Sequence, residues 1–241
     1  RQRQMCIRDR LVADGDNLEA LRVMAGQAKV ILSTAGPFAR YSDLLVQACV
    51  EQGTHYTDIT GENHWVRTLI DKHHENASLK GVRIVPSCGY DSIPSDIGTF
   101  FAVSQFNKPV KRVELFQEMQ GGASGGTIET AFSMGKLSKE MRDPFLLNPE
   151  NSSTEEQRKY SKDIMRIEKI EELDGWSGMF VMAAGNTRVV RRTAALMEQN
   201  QNSYGANFTF GEYGLHKTKK LARRASYGLI LGFLIIASPL K

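Results

Sequence analysis

The feature that most constrains this chain is a regular alternation of helical and strand-like segments over residues 16–85. The strand-like segments are apolar or β-branched, as in buried strands; they cover Val30–Leu32, Thr54–Ile59 and Val82–Val85. Apolar residues at helical spacing separate them, over about 16–26, 42–53 and 63–79. The rhythm predicts an α/β fold, with a mostly parallel sheet covered on both faces.

The predicted helices have recognisable ends. Asp16 can cap the first helix with Glu19 as its capping-box partner, and Ser42 can cap the second. Gly26 and Gly53 are expected to end these two helices, because glycine tolerates the backbone conformation of a helix stop.

The second half has a different pattern, and a boundary is predicted near Pro109. Arg112 to Met119 alternates with a period of two, which indicates a strand with one exposed face. Further predicted elements are strands over Phe180–Ala184 and Asn207–Tyr213 and a helix over Asn186–Leu196. The polar stretch Asp143–Lys162 is interpreted as a surface excursion. An α+β domain with a mixed or antiparallel sheet is therefore expected after the parallel part.

Composition excludes several classes of protein. The chain has 241 residues, 41% apolar and 24% charged, which are ordinary globular values and argue against disorder, collagen or a coiled coil. A net charge of +4 is too small to indicate nucleic-acid binding, so no nucleic-acid partner is expected. Three cysteines do not form a disulfide framework, which favours a reducing, intracellular compartment.

Two loops follow predicted strands at the point where open α/β sheets bind ligands. After the first strand, Thr34-Ala35-Gly36-Pro37-Phe38 offers a close backbone approach at Gly36, or is an ordinary turn. After the second, Tyr56, Asp58 and Glu62 form a polar cluster that can bind substrate or relay protons. The alternatives are a capping or turn role for Asp58 and a solvated first-turn position for Glu62.

The loop Cys88–Asp96 follows the last apolar strand of the first half. Asp91 or Ser92 can cap the helix that Pro94 begins, and the loop can also form the wall of a site. A nucleophilic Cys88 is disfavoured, because no base lies near it in sequence.

Other motifs are weaker. The glycine loop Gly121–Gly126 lacks the lysine of a phosphate loop; it binds an anion before the helix predicted from Thr127 or is a flexible junction. No metal site is expected, because the adjacent His73 and His74 diverge by about 100° on a helix. No C-x-x-C is present either.

The two ends of the chain stand apart from the rest. Arg1–Arg10 has no apolar period and is interpreted as a translated adapter remnant, or else as a basic disordered arm. Near the other end, five basic residues precede the uncharged run Ala225–Leu240; they are Lys217, Lys219, Lys220, Arg223 and Arg224. This run is short for a transmembrane helix, so residues 217–241 either contact a membrane surface or form a buried helix.

Several stretches together resemble the saccharopine dehydrogenase-like oxidoreductases and the related trans-acting enoyl reductases. The stretches read KVILSTAGPFARYSDLLVQACVEQGTHYTDITGE, GVRIVPSCGYDSIPSDIG, SGGTIETAF, RVVRRTAAL and YGANFTFGEY. The resemblance implies a Rossmann-type, doubly wound NAD(P)-binding domain over 11–108 and a substrate-side α+β domain over 109–216. The family's glycine fingerprint is not found, so the chain looks like a fragment with a partial Rossmann sheet that is inactive by itself.

The resemblance also assigns roles to individual residues. It implies that Ala35, Gly36, Pro37 and Phe38 border the ribose and nicotinamide of NAD or NADP, with Asp14 near the adenine. The residues facing nicotinamide or substrate would be Tyr56, Asp58, Glu62, Asp91 and Ser92.

The function implied by the resemblance is hydride transfer on a small-molecule or lipid-related substrate. Animal members of the family are associated with lipid droplets and mitochondria, so a droplet, a mitochondrion or another membrane surface is an expected location. A homodimer is a further expected arrangement. The alternatives are a non-catalytic lipid-droplet or membrane scaffold that keeps the fold, and a binding module for an unrelated ligand.

Overall fold

The structure is a computed structural model that describes residues 10–90, 92–118, 143–161 and 166–237. The chain divides into two compact units. The first unit consists of 1–58 and 69–86, and the second of 59–68 and 87–241. The domain boundary predicted near Pro109 stays a prediction.

The first unit contains a three-stranded sheet with the order β1-β2-β3. Its elements are α1 (Leu18–Ala25), β1 (Val30–Ser33), α2 (Phe38–Tyr41), α3 (Asp43–Gln52), β2 (His55–Asp58), most of α4 (Asn63–Leu79) and β3 (Ile84–Val85). Both strand pairs are parallel, with Ile31 opposite Tyr56 and Tyr56 opposite Ile84. The parallel sheet predicted from the sequence is confirmed.

Side chains that alternate along β1 and β2 give this sheet two different faces. Ser33, Tyr56 and Asp58 point to one face and are buried. On the opposite face Val30 and Leu32 are 54% and 66% exposed. The described residues therefore cover mainly one face, whereas cover on both faces was predicted.

The helix ends of the first unit follow the expected chemistry in part. Gly53 ends α3 with φ 74°, a conformation that favours glycine. The first helix is capped by Asn17, whose side chain accepts from the backbone N of Ala20 at 3.1 Å, so the prediction of Asp16 as the cap was wrong. Ser42 occupies the cap position of α3 without a side-chain capping bond.

The second unit contains a mixed four-stranded sheet with the order β4-β7-β6-β5. Its elements are α5 (Ile93–Ser104), β4 (Arg112–Gln117), α6 (Glu155–Tyr160), β5 (Lys169–Ile170), a short 3-10 turn (Glu171–Leu173), β6 (Gly175–Gly178), α7 (Ala183–Gln199), β7 (Thr209–His216) and α8 (Lys219–Ala237). β4 and β7 are parallel, and the other two pairs are antiparallel. We predicted a parallel α/β part followed by an α+β part with a mixed sheet, and this order is confirmed.

The strand predicted over Phe180–Ala184 was wrong, because α7 already begins at Ala183. The strand lies earlier, over Gly175–Gly178, and it begins and ends with glycine. A Cβ on Gly175 would lie 2.6 Å from the side chain of Leu215 on β7. Since glycine is depleted in strands, its presence concealed β6 in the sequence.

The stretch Asp143–Lys162 is more than a surface excursion, because Phe145 and Leu147 are buried. Buried Arg191 of α7 donates to the carbonyl of Pro144 at 3.0 Å, and Arg192 donates to the carbonyl of Leu147. These arginines hold the segment against α7. Its later part forms α6, which begins with a capping box at Thr154.

The core of the second unit lies between α7 and the sheet, and it contains Val190, Tyr204, Phe208 and Phe210. The glycine loop 121–126 and the helix predicted from Thr127 lie outside the described residues. None of the helices in the described ranges has both the length and the apolar content that a membrane crossing requires.

Candidate functional site

The first candidate region is the turn at the carboxyl end of β1. Thr34, Ala35 and Gly36 are exposed, Pro37 is half-buried, and Phe38 is buried at the start of α2. A Cβ on Gly36 would lie 3.2 Å from the ring of Phe38, so the packed ring favours glycine here. The result is an open stretch of main chain without bulky side chains, which suits close contact with a flat ligand.

The second region is the end of β2, where Tyr56 and Asp58 are both fully buried. They point to the same face, and Asp58 lies opposite Ser33 in the parallel register. Burial, followed by the negative charge of Asp58, raises the pKa of Tyr56 well above its usual value. The phenol therefore keeps its proton at physiological pH, as a hydrogen-bond or proton donor must.

Glu62 lies in the second unit immediately before α4. Its backbone N donates to Oγ1 of Thr60 at 3.0 Å, and its carbonyl accepts from the backbone N of Trp65 at 2.9 Å. The side chain is buried, so the solvated first-turn position weighed from the sequence is wrong. An acidic group at this end of a helix is favoured by the helix dipole.

Ser92 belongs to a buried polar network in the second unit. Its Oγ donates to Oδ1 of Asn186 at 3.1 Å, and Nδ2 of Asn186 donates to Oε1 of Glu212 at 3.2 Å. The same Oε1 accepts from Oγ of Ser95 at 2.8 Å and from Nε2 of Gln117 at 3.1 Å. The network joins α5, α7, β4 and β7. Ser92 occupies the predicted cap position of α5, but its side chain makes no capping bond.

Two carboxyl groups near this network hold their protons more tightly than usual. Burial raises the pKa of Glu212, and hydrogen bonds from Gln117, Ser95 and Asn186 oppose the rise. Burial also raises the pKa of Asp96 to about 6, although Oγ1 of Thr193 donates to its Oδ2 at 2.9 Å. A protonated Glu212 can donate as well as accept hydrogen bonds.

Sequence reasoning missed Asn186, Ser95 and Glu212. A usable signal for Glu212 was present, because it follows Phe210 at a spacing of two in a predicted strand and therefore shares a buried face. A carboxyl group on such a face needs partners, which the sequence does not name.

The remaining predicted residues have different settings. Asp14 is exposed before α1, and its Oδ1 accepts from the backbone N of Asp16 at 3.1 Å. Asp91 lies outside the described residues. The functional roles assigned to these residues stay predictions. Across the ranges that the structure describes, no His, Cys, Asp and Glu side chains group in a way that could hold a metal ion.

The chain is similar to known proteins over most of its length. Residues 9–85 match the family described as saccharopine dehydrogenase NADP binding domain. A trans-acting enoyl reductase of Mycobacterium leprae (strain TN) is 35% identical over 223 residues, which cover 84% of this chain and 51% of that protein. One of Mycobacterium tuberculosis (strain ATCC 25618 / H37Rv) is 34% identical over 222 residues, with the same shares. One of Mycobacterium ulcerans (strain Agy99) is 34% identical over 260 residues, covering 96% and 62%.

A parallel sheet with an open turn at the carboxyl end of a strand is typical of nucleotide-binding α/β domains. These matches confirm the resemblance of the chain to the saccharopine dehydrogenase-like oxidoreductases and the trans-acting enoyl reductases. NAD(P) is the cofactor of the matched domain class, with no preference between the two forms shown. The chain spans about half the length of the Mycobacterium leprae and Mycobacterium tuberculosis relatives.

Proposed function

We propose that this chain is part of an NAD(P)-dependent oxidoreductase that transfers hydride to or from a lipid-related acyl substrate. The observation that carries the proposal is the open turn Thr34–Gly36 at the carboxyl end of β1, inside the stretch that matches an NADP-binding family. The relatives are called trans-acting enoyl reductases, which supports an unsaturated acyl group as the substrate class.

The cofactor would be held by the residues that follow β1. Ala35 and Gly36 expose main chain to a ligand, and buried Phe38 anchors the turn. Asp14 is exposed, so its carboxylate is available to the adenosine end. When bound, the nicotinamide supplies the hydride, and the protein positions it.

Tyr56 and Asp58 are the candidates for proton handling in the first unit. The phenol of Tyr56 stays protonated because burial and the charge of Asp58 oppose its ionisation. Glu62 and Ser92 of the second unit are proposed on the substrate side, and Asp91 is proposed there from the sequence alone. Ser92 is fixed by Asn186, so it is a positioned hydroxyl.

The first experiment measures the thermal stability of the full-length protein with and without NADH and NADPH. A ligand at one hundred times its dissociation constant stabilises the native state by about 2.7 kcal/mol, so the midpoint should rise clearly with at least one cofactor. If neither reduced cofactor, at millimolar concentration, moves the midpoint of a folded sample, the oxidoreductase proposal fails and the non-catalytic scaffold becomes the better account.

A second experiment separates cofactor binding from substrate class. Enoyl thioesters of increasing chain length are added to the protein with the cofactor that stabilised it, and consumption of reduced nicotinamide is followed by absorbance. Turnover that increases with chain length is expected for a lipid-related substrate. Binding of cofactor without turnover of any enoyl thioester would retain the dinucleotide site and reject this substrate class.

A further inference from the structure

The helix α8 carries a concentrated positive charge at its start. Lys217 to Arg224 contains five basic residues, all exposed, and no acidic residue occurs from there to the end of the chain. Within the parts of the chain that the structure describes, none of these five side chains forms an ion pair. Lys219 contacts the ring of Trp176, with Nζ 5.1 Å from the ring centre.

The inner face of α8 is fixed to the second unit. Ala222 and Ser226 are fully buried one turn apart, and Oγ of Ser226 accepts from the backbone N of Met179 at 2.9 Å. The outer face consequently has a fixed orientation relative to β6.

The outer face of α8 changes from basic to apolar along the helix. Tyr227, Leu231 and Leu234 are 56%, 59% and 62% exposed, and their spacing of four and three places them on one stripe. Towards the start of the helix, the same stripe includes Arg223 and Arg224 and then Lys220. A surface region of about 680 Å³ follows it, and the described residues that line it all belong to α8. Among the residues that the structure describes, this face of the helix is therefore open.

Both halves of this face are unfavourable in water. Basic side chains in the first turns of a helix lie at the positive end of its dipole, which opposes them. Exposed leucine and tyrosine side chains lack the favourable free energy that burying their apolar surface would provide. A surface with phosphate groups beside hydrocarbon would relieve both costs at once.

We propose that the α8 face, defined as Lys220, Arg223, Arg224, Tyr227, Leu231 and Leu234, binds the surface of a bilayer that contains anionic phospholipids. The cations contact lipid phosphates, while the leucines enter the boundary between headgroups and acyl chains. Tyr227 lies between the two parts, at the depth that tyrosine favours in membranes. A nucleic acid would satisfy the cations only and would leave Leu231 and Leu234 in water.

The test is co-sedimentation of the full-length protein with phosphatidylcholine vesicles, with and without phosphatidylserine. Binding is expected only to vesicles with phosphatidylserine, and it should weaken as salt is added. Removing three cations in K220Q/R223Q/R224Q should weaken binding about 100-fold, since each cation contributes about fivefold. The variant L231S/L234S should also bind more weakly while keeping its salt dependence.

The matched control is K108Q/K111Q/K159Q, which removes three exposed lysines of the same unit. It should bind as the unchanged protein does. Failure of the unchanged protein to bind any vesicle would overturn the proposal, and so would equal losses in the control and the α8 variant. If the protein binds oligonucleotides more tightly than vesicles, and L231S/L234S does not weaken that binding, the face would be assigned to nucleic acid instead. Cofactor binding is measured separately, so this outcome is independent of the proposed function.

Discussion

The hydroxyl of Ser92 donates to Oδ1 of Asn186 at 3.1 Å, although the two residues are 94 positions apart in the chain. Nδ2 of Asn186 in turn donates to Oε1 of Glu212, which is buried on β7. The loop that the sequence marked as a site wall is thus tied to the helix α7 and to the sheet of the second unit.

Asn186→Ala should destabilise the second unit by about 2 kcal/mol, because buried Glu212 loses a donor and Ser92 loses its acceptor. Urea unfolding followed by tryptophan fluorescence measures this directly, since both tryptophans, Trp65 and Trp176, belong to the second unit. Gln199→Ala, at an exposed position of the same helix, is the control and should change stability by less than about 0.5 kcal/mol. Equal stability of the two variants would show that the network carries no net stabilisation.

Asp96→Asn should reduce the pH dependence of stability. In the native state Asp96 has a pKa of about 6, whereas in the unfolded chain its pKa is about 3.9. The contribution of Asp96 to stability is therefore fully present below the unfolded pKa, and it falls by about 3 kcal/mol as pH rises through 6. The variant should lack this fall.

The comparison is made as the difference between variant and unchanged protein at each pH. Glu212 has a raised pKa and acts in the same direction, whereas burial lowers the pKa of His64 and of His216, which act in the opposite direction. A difference that stays constant from pH 4 to 7 would contradict a raised pKa at Asp96.

Gly36→Ala should weaken NADPH binding about tenfold, or about 1.4 kcal/mol. The added Cβ would lie 3.2 Å from the ring of Phe38, so the turn must move away from its open position. Gly26→Ala is the control, because its Cβ would meet the flexible end of Gln52 at 3.3 Å in the same unit. Titration of NADPH fluorescence measures both variants. Unchanged binding in the Gly36 variant would remove this turn from the cofactor site.

Gly205→Ala and Gly98→Ala should have opposite effects on the stability of the second unit. Gly205 has φ 154°, and its Cβ would lie 2.5 Å from the carbonyl oxygen of Val110, so alanine should cost more than about 3 kcal/mol. Gly98 lies in α5 with open space around it, and alanine should add about 0.5–1 kcal/mol of helix stability. Thermal unfolding distinguishes the two. A soluble Gly205 variant with an unchanged midpoint would contradict the close approach.

The first unit could be predicted closely because its signals are local. The sequence placed α4 at its observed bounds, and it placed β1 and β2 within one residue at each end. Apolar runs, β-branched residues and glycine stops act over a few positions, so they can be recognised without tertiary information.

The second unit was predicted less well because its determinants are distant in sequence. β6 begins at Gly175, where a Cβ would lie close to the side chain of Leu215 on a neighbouring strand, a contact that the sequence does not reveal. The buried positions of Phe145 and Leu147 depend on arginines of α7, which the polar character of that stretch did not indicate.

The candidate site shows the same division. The period of two along β2 places Tyr56 and Asp58 on one face, so their proximity could be predicted. The network of Ser92, Asn186 and Glu212 joins three elements whose packing no local pattern reveals.

The parallel pairing of β4 with β7 also determines how the second unit can fold. Arg112 pairs with Thr209, so about 100 residues must be ordered or looped out before the first bond of this ladder forms. The pairs within the first unit span far shorter stretches, as with Val30 and His55. Because folding rates fall as contacts become less local, the first unit should complete its sheet early, and closure of the β4–β7 ladder should limit the folding rate.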